Sequence, residues 1–579
     1  MTRAMHLARY VRTLAHLRPH QMLHRARLVV QRRMVGGSSE AFKRRWTVSP
    51  NGPASLPREF HPIDATVMAH RWALEDLSQG SLTFLNQTRE LGDPVQWDPA
   101  DASHLWLFHH HYWEWAWSLA ADPDRDGARA VLAKHWRGWH DSTSFGRGNA
   151  WATYPTSIRA WVLVNVFHEL IAGTDIEPMV VADLGAHAGF IKRNLELDIG
   201  GNHIIKNLKA LVGLGVFLSD DHIVDFALQH LSREIRVQVL ADGGHYELSP
   251  SYHCQVLGDF IDVAGLLAAS GRRPVPELDE AVASMRRWLG LMLMPDGDVP
   301  LFNDCEPVGA DLLAVLRPGP PAAQPFTVLA ESGYVVVLNG PFHLVADVGQ
   351  PGPPDLPGHI HADCLTFELA VHDQRVVVDS GTSEYGIGPQ RIHERSTKAH
   401  TTIEIDGTDQ TEVWGAFRAG RRAEATLERV ESADGTVTVV ASHSGYRHLD
   451  GRPLHRRTWE VSSAEVRVLD RVEGTGRHRL TARILVPGSA ILGLDKEGRR
   501  SESFANGPPH IVGIQQITLQ SSSADRPATS RWAPSTRARG FGILEDARLL
   551  EADITLDLPA GFVTRIVAEP PHCKAPADG

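Results

Sequence analysis

The sequence predicts an α+β multidomain protein, an array of helices followed by an antiparallel β-sandwich. Two changes of pattern and one break predict it. Apolar residues recur at three- and four-residue spacing from about Ile63 to Leu316, the signature of amphipathic helices. From Gly333 onward the period becomes two, as in half-buried strands. Between the two lies Leu316-Arg-Pro-Gly-Pro-Pro-Ala-Ala-Gln-Pro325, whose prolines end a helix and stiffen a connector. A chain of 579 residues is too long for one core and divides into domains. The expected division is a basic arm over 1–60, a helical domain over 61–316, the connector over 317–325 and the sandwich over 326–579.

The arm, MTRAMHLARYVRTLAHLRPHQMLHRARLVVQRRM, is basic and interrupted by Pro19. It lacks the apolar core and cleavage site of a secretory signal, so the expected location is the cytoplasm. No stretch approaches the ~20 apolar residues of a membrane span. A basic amphipathic arm is compatible with an anionic membrane surface; the favoured reading is one or two short helices packed on the body with solvated arginines. The net charge of −11 argues against a general nucleic-acid binder. Cys254, Cys305, Cys364 and Cys573 form no CxxC pair, which removes both a disulfide framework and a thiolate zinc site.

In the helical part the pattern predicts helices over 104–121, 126–140, 157–172, 180–197, 203–218, 221–240, 249–269 and 276–294. Beyond the connector it predicts strands over 333–339, 342–347, 366–371, 376–380, 401–405, 436–442, 465–471, 479–486, 511–520 and 552–558, enough short antiparallel strands to close a sandwich.

Three constellations carry chemistry. Gly358–His400 contains His359-Ile360-His361-Ala362-Asp363, a strand-like run ending at Asp379, and His400. Histidines at i and i+2 share a strand face, and with Asp379 and His400 they suit a divalent cation: zinc, with manganese or calcium as alternatives. In Gly200-Gly201-Asn202-His203, Asn202 reads as the N-cap of a helix starting at His203, placing an amide and an imidazole at a helix N-terminus that favours an anion. In Asp242-Gly243-Gly244-His245-Tyr246-Glu247-Leu248-Ser249-Pro250-Ser251-Tyr252, Ser249-Pro250 starts a helix and sets Tyr252 in its first turn.

The blocks GNHIIKNLKAL, ADGGHYELSPSYHCQVLGDFIDV, GHIHADCLTFEL, VVVDSGTSEYG and RSTKAHTTIEIDGTDQTEVWGAFRAGRR resemble the signature blocks of heparinase II/III-like polysaccharide lyases. The resemblance implies an incomplete α/α toroid followed by the sandwich. It also implies β-elimination on an anionic, uronic-acid-containing polysaccharide, glycosaminoglycan-like or alginate-like. It makes Asn202 and His203 the carboxylate-neutralising pair, Tyr252 and His359 the proton-transfer residues, and Tyr385 a further active-site tyrosine. Tyr154, Arg159, His245, Glu247 and Arg395 become groove residues, and His361, Asp379 and His400 ligands of a structural metal. Thr401 departs from the asparagine that often follows Ala-His in the family. Most tryptophans of 106–117 and 151–161 read as toroid core. No pair of carboxylates offers the spacing of a hydrolase; the remaining alternative is a non-catalytic glycan-binding or exopolysaccharide-assembly protein on the same fold.

Overall fold

The computed structural model describes residues 3–321, 325–488, 490–494, 500–504, 511–521, 526–527 and 530–568. Residues 322–324 of the connector and Cys573 lie outside them. Helices dominate to Leu316, and antiparallel strands follow from Phe326, giving the toroid-plus-sandwich architecture.

Helix Gly201–Phe217 forms the centre of the helical domain, packed between Thr153–Asn165, Asp221–Gln238 and Pro250–Ala269. Its sequence is apolar nearly all round and nearly all of it is buried, as a core helix must be. One buried cation ties it to its neighbour: Lys209 Nζ donates to Asp259 Oδ1 (2.9 Å) and Asp262 Oδ2 (2.6 Å). The two helices that carry Asn202 and Tyr252 are thereby fixed against each other. Two boundaries differ from the periodic reading. The run 104–121 is broken at Trp113, whose left-handed φ of 66° ends His104–Tyr112 before Ala116–Ala121 begins. The run 157–172 is helix Thr153–Asn165 followed by a π-helical turn, Phe167–Ile171. Both breaks keep the apolar period, so periodicity alone does not reveal them.

The sandwich is built on a five-stranded sheet in the order Phe326–Leu329, Tyr334–Asn339, Phe342–Asp347, Phe367–Val371 and Gln374–Val377. Val337, Leu344, Phe367 and Leu369 face a core shared with Val439, Trp459, Val468 and Phe562 of the larger sheet and Leu480 of a four-stranded one. The opposite face of the same sheet, through Tyr334, Val336, Val345 and Ala370, packs on Trp288, Met292 and Phe302 of the helical domain. Apolar cover on both sides explains why Tyr334–Val337 and Phe367–Val371 are continuous buried runs and not strict alternations.

Candidate active site

The site forms where the N-termini of Gly201–Phe217 and Pro250–Ala269 meet the loops 351–366 and 378–400 of the sandwich. Helix Gly201–Phe217 begins two residues before the sequence reading places it, and its N-cap is Gly200, not Asn202. The orphan amides at this end are satisfied from a distant segment. Tyr246 Oη accepts from Gly201 N (2.8 Å), and Glu247 Oε1 accepts from Asn202 N (3.1 Å). The approach is so close that a Cβ on Gly201, itself at φ +58°, would meet Glu247 Oε1 at 1.9 Å, so only glycine fits. Asn202 Nδ2 donates to both Glu247 oxygens at 3.2 Å, while its Oδ1 accepts from Gln255 Nε2 (3.4 Å). Gln255 Nε2 also donates to Tyr154 Oη (3.1 Å). Tyr154, Gln255, Asn202 and Glu247 are thus one hydrogen-bonded wall.

His203, half-buried beside them, packs against Tyr154 with the rings tilted and their centroids 4.3 Å apart. Its Nδ1 lies 3.3 Å from Glu196 Oε1. Burial opposes its protonation, yet the carboxylates of Glu196 and Glu247 raise its pKa, which favours the imidazolium.

Tyr252 stands in the first turn of Pro250–Ala269, as expected from Ser249-Pro250. Its hydroxyl lies 2.7 Å from that of Tyr385 and its ring 4.0 Å from that of His359. Burial, reinforced by the neighbouring phenol and Asp304, pushes the Tyr252 hydroxyl well above the usual phenol range; burial does the same to Tyr385. Both are protonated near neutral pH.

His359 and His361 lie in a loop, not on the expected strand. They nevertheless meet on one carboxylate, that of Asp304. His359 Nδ1 is 3.0 Å from Asp304 Oδ2, and His361 Nε2 is 2.8 Å from Asp304 Oδ1. Arg391 clamps the same carboxylate with both terminal nitrogens, Nη2 at 2.8 Å from Oδ2. Although burial works against ionisation, Arg391 and the two histidines hold Asp304 well below the usual carboxylate range. An ionised Asp304 accepts hydrogen bonds from His359 Nδ1 and His361 Nε2, so in the neutral rings the lone pairs sit on His359 Nε2 and His361 Nδ1.

Behind His359, three buried ring and carboxylate atoms have no hydrogen-bond partner: His361 Nδ1, Asp363 Oδ1 and His400 Nε2. These residues present ligand atoms within 4.8 Å of one another. Two imidazole nitrogens and a carboxylate oxygen suit zinc better than calcium, which prefers oxygen. Each imidazole is oriented from behind by a carboxylate: His361 by Asp304, and His400 by Asp379, whose oxygens lie 2.9 and 3.1 Å from His400 Nδ1. Carboxylates placed this way are the support that histidine ligands of a metal would need. Asp379, expected as a ligand, stands in that outer position, and Asp363 supplies the converging oxygen. Burial and the adjacent Asp379 raise the Asp363 carboxyl to about 6, a strain that a bound cation would relieve.

Four expected groove residues are sequestered. Arg159, fully buried, donates to His187 Nε2, His111 O and Ala150 O and lies 4.4 Å over the Trp139 ring. Burial lowers its pKa to about 9. Arg395 donates to Ile360 O twice and to Gly415 O, fixing the peptide between His359 and His361. His245, buried against Gln238, supports the wall from behind, and Glu247 is buried within it. The large rings Trp106, Trp113, Trp115, Trp117, Trp151 and Trp161 are core, as read. Thr401 Oγ1 accepts from Leu485 N (3.1 Å), holding the strand beside His400. Sequence reasoning missed Asp304, Asp363 and Arg391. Asp363 had a signal: it continues the two-residue step from His359 through His361.

Three comparisons bear on ancestry. The description Heparinase II/III N-terminus matches residues 106–317, and Heparinase II/III-like, C-terminal matches residues 321–553. FtsZ-localized protein C of Caulobacter vibrioides is 25% identical over 417 residues, covering 69% of this chain and 70% of that protein. Heparin-sulfate lyase of Bacteroides stercoris is 22% identical over 326 residues, 50% of this chain, and the chain spans only 46% of its length. A crystal structure of heparinase III superposes with a TM-score of 0.72 at 17% identity, covering 90% of this chain and 87% of that one, a likeness of fold. With both family descriptions matched in order along most of its length, the chain belongs to the heparinase II/III-like family.

Proposed function

We propose that the protein is a polysaccharide lyase that cleaves a uronic-acid-containing polymer, glycosaminoglycan-like in the first instance, by β-elimination. The observation that carries this reading is the meeting of Tyr252, Tyr385 and His359 across the two domains, opposite the Asn202–His203 wall. Elimination removes the proton on C5 of a uronate; its electron pair forms the C4–C5 double bond, and the C4 oxygen leaves with a proton. The C5 proton is too weakly acidic to leave unless the neighbouring carboxylate is neutralised. His203, whose imidazolium is favoured by Glu196 and Glu247, is the donor for that carboxylate, joined by the Asn202 amide once it turns from Glu247 to the substrate. His359 Nε2 carries a lone pair fixed by Asp304 and serves as the base. Tyr252, held protonated by burial, delivers a proton to the leaving oxygen, and Tyr385 restores its hydrogen bond. A divalent cation held by His361, Asp363 and His400 would brace the loop that carries His359.

The test is to incubate the purified protein with heparan sulfate, hyaluronan, chondroitin and alginate and follow the ultraviolet absorbance of the unsaturated uronate. Absorbance rising with one polymer supports the reading; none with any of them, from metal-loaded protein, rejects it. A second reading has one observation in its favour: the relative covering the larger share of this chain is named for localisation, not catalysis. On that reading the fold binds glycan or serves its assembly without cleaving it, and the same proteins would bind polymer with no change in absorbance.

A further inference from the structure

The arm before Ser38 wears its amphipathicity the wrong way out. Helix Pro19–Gly37 turns Gln21, Leu28 and Val35 to the body, one stripe at seven-residue spacing. Gln21 Nε2 donates to Asp198 O and Asp355 O, and His24 Nε2 meets Leu195 O at 2.7 Å. Across the helix a second stripe, Met22, Leu23, Val29, Val30 and Met34, faces solvent, with Leu23 73% exposed. Helix Arg3–Leu14 repeats the arrangement. Arg9 and Arg12 hold Glu412, and Thr13 accepts from Trp414 Nε1, while Leu7, Val11 and Leu14 point away, Leu7 67% exposed. Nine of the sixteen large apolar side chains exposed among the described residues belong to these two helices.

The charge of the segment selects what covers this face. Eight arginines and no acidic residue precede Ser38, in a chain whose total is −11. Arg25 and Arg32 flank the stripe on one side and Arg27 on the other, all exposed, and Arg33 lies within it. Apolar groups bordered by guanidinium groups match the boundary between lipid headgroups and acyl chains, where apolar residues enter and arginines reach back to phosphate. A second copy would set Arg27, Arg32 and Arg33 against the same like charges. We infer that the arm docks this chain onto an anionic lipid surface, independently of whether the cleft is catalytic. No helix is long and apolar enough to cross a membrane among the described residues, so the attachment is interfacial and reversible.

The experiment is flotation of the full chain with vesicles of phosphatidylcholine alone or mixed with phosphatidylglycerol. Binding is expected only to the anionic vesicles and weakens as salt rises. Leu23→Ser with Val30→Ser and Met34→Ser should lower it about tenfold or more, with the thermal transition unchanged because Leu28 and Val35 stay in place. Arg32→Gln with Arg33→Gln, which alters no packed side chain, should lower binding severalfold. Absence of flotation, flotation by both variants equal to that of the wild type, or a dimer by sedimentation that the serine variant dissolves would each overturn the inference.

Discussion

The hydroxyls of Tyr252 and Tyr385 meet at 2.7 Å, one from a toroid helix and the other from a sandwich loop, 133 residues apart in sequence. Arg391 lies 4.9 Å over the Tyr385 ring and clamps Asp304, so the pair is seated on the same group that orients His359. Tyr252→Phe removes only the hydroxyl and should lower turnover by about 10²–10⁴-fold. Tyr385→Phe should cost less, because the Tyr252 proton remains. Steady-state rates on the polymer that gives product check both; near wild-type turnover in Tyr252→Phe ends its assignment to proton transfer.

Asn202→Ala is expected to act on binding and stability together, though not through a lost cap. The Glu247 carboxylate loses a side-chain donor while keeping the Asn202 backbone amide, a loss of about 1.5–3 kcal/mol for a bond to a charged group. Turnover should fall by about 10²-fold. Chemical denaturation and kinetics on the same sample separate the effects; unchanged turnover with lowered stability would reduce Asn202 to a support for Glu247.

Division of labour within the loop predicts opposite outcomes for neighbours. His359→Ala leaves Asp304 engaged by Arg391 and His361, so metal content and melting temperature should hold while activity is lost. His361→Ala and Asp363→Asn should strip the metal, and Asp379→Asn should weaken it by about 10–100-fold as an outer-shell change. Elemental analysis after dialysis decides: metal lost from His359→Ala, or retained in full by His361→Ala, contradicts the assignment.

Asp470, joined to the loop of His400 through Arg457, which donates to Leu365 O and Thr401 O, carries a pH signature. Buried with Arg457 (2.6 and 2.9 Å) and His455 (2.7 Å), it has a folded pKa of about 2, held down by Arg457 and His455 against burial. A depressed carboxylate stabilises above its unfolded pKa near ~4 and loses that contribution as pH falls toward its folded value, here about 2 kcal/mol in all. Asp470→Asn strands the buried Arg457 and should cost about 3–5 kcal/mol at pH 7. Denaturation measured from neutral pH downward should show the gap between wild type and variant narrowing below about pH 4; a constant gap would refute the linkage.

What could be read from the chain follows the range of the interactions that decide each feature. Ser249-Pro250 starts a helix by local chemistry, so Tyr252 was placed correctly. The end of Gly201–Phe217 is satisfied by Tyr246 and Glu247, both beyond the local window, so Asn202 looked like a cap. Arg159 resembled a groove residue because nothing in its neighbourhood reveals that His187, His111 O and Ala150 O close around it. Asp304 sits in Leu301-Phe302-Asn303-Asp304-Cys305, a segment with neither helical nor strand period, and its importance comes from Arg391 and the two histidines that reach it from the sandwich. Of the residues the family resemblance names, Tyr154, Asn202, His203, Tyr252, His359 and Tyr385 come together in the fold; only geometry separates groups that face one another there from those that hold them up.

The sheet with Tyr334 and Val336 on one face and Val337 and Leu344 on the other leaves neither part of the chain self-sufficient. Cutting at the proline-rich connector would bare Trp288, Met292 and Phe302 on one fragment and a wide apolar sheet on the other, surfaces that promote aggregation. Independent hinge motion about the connector would likewise have to open that apolar seam. The site residues, though contributed by two architectures, therefore share one apolar seam, and on the lyase reading a polymer would meet groups whose spacing is set before it arrives.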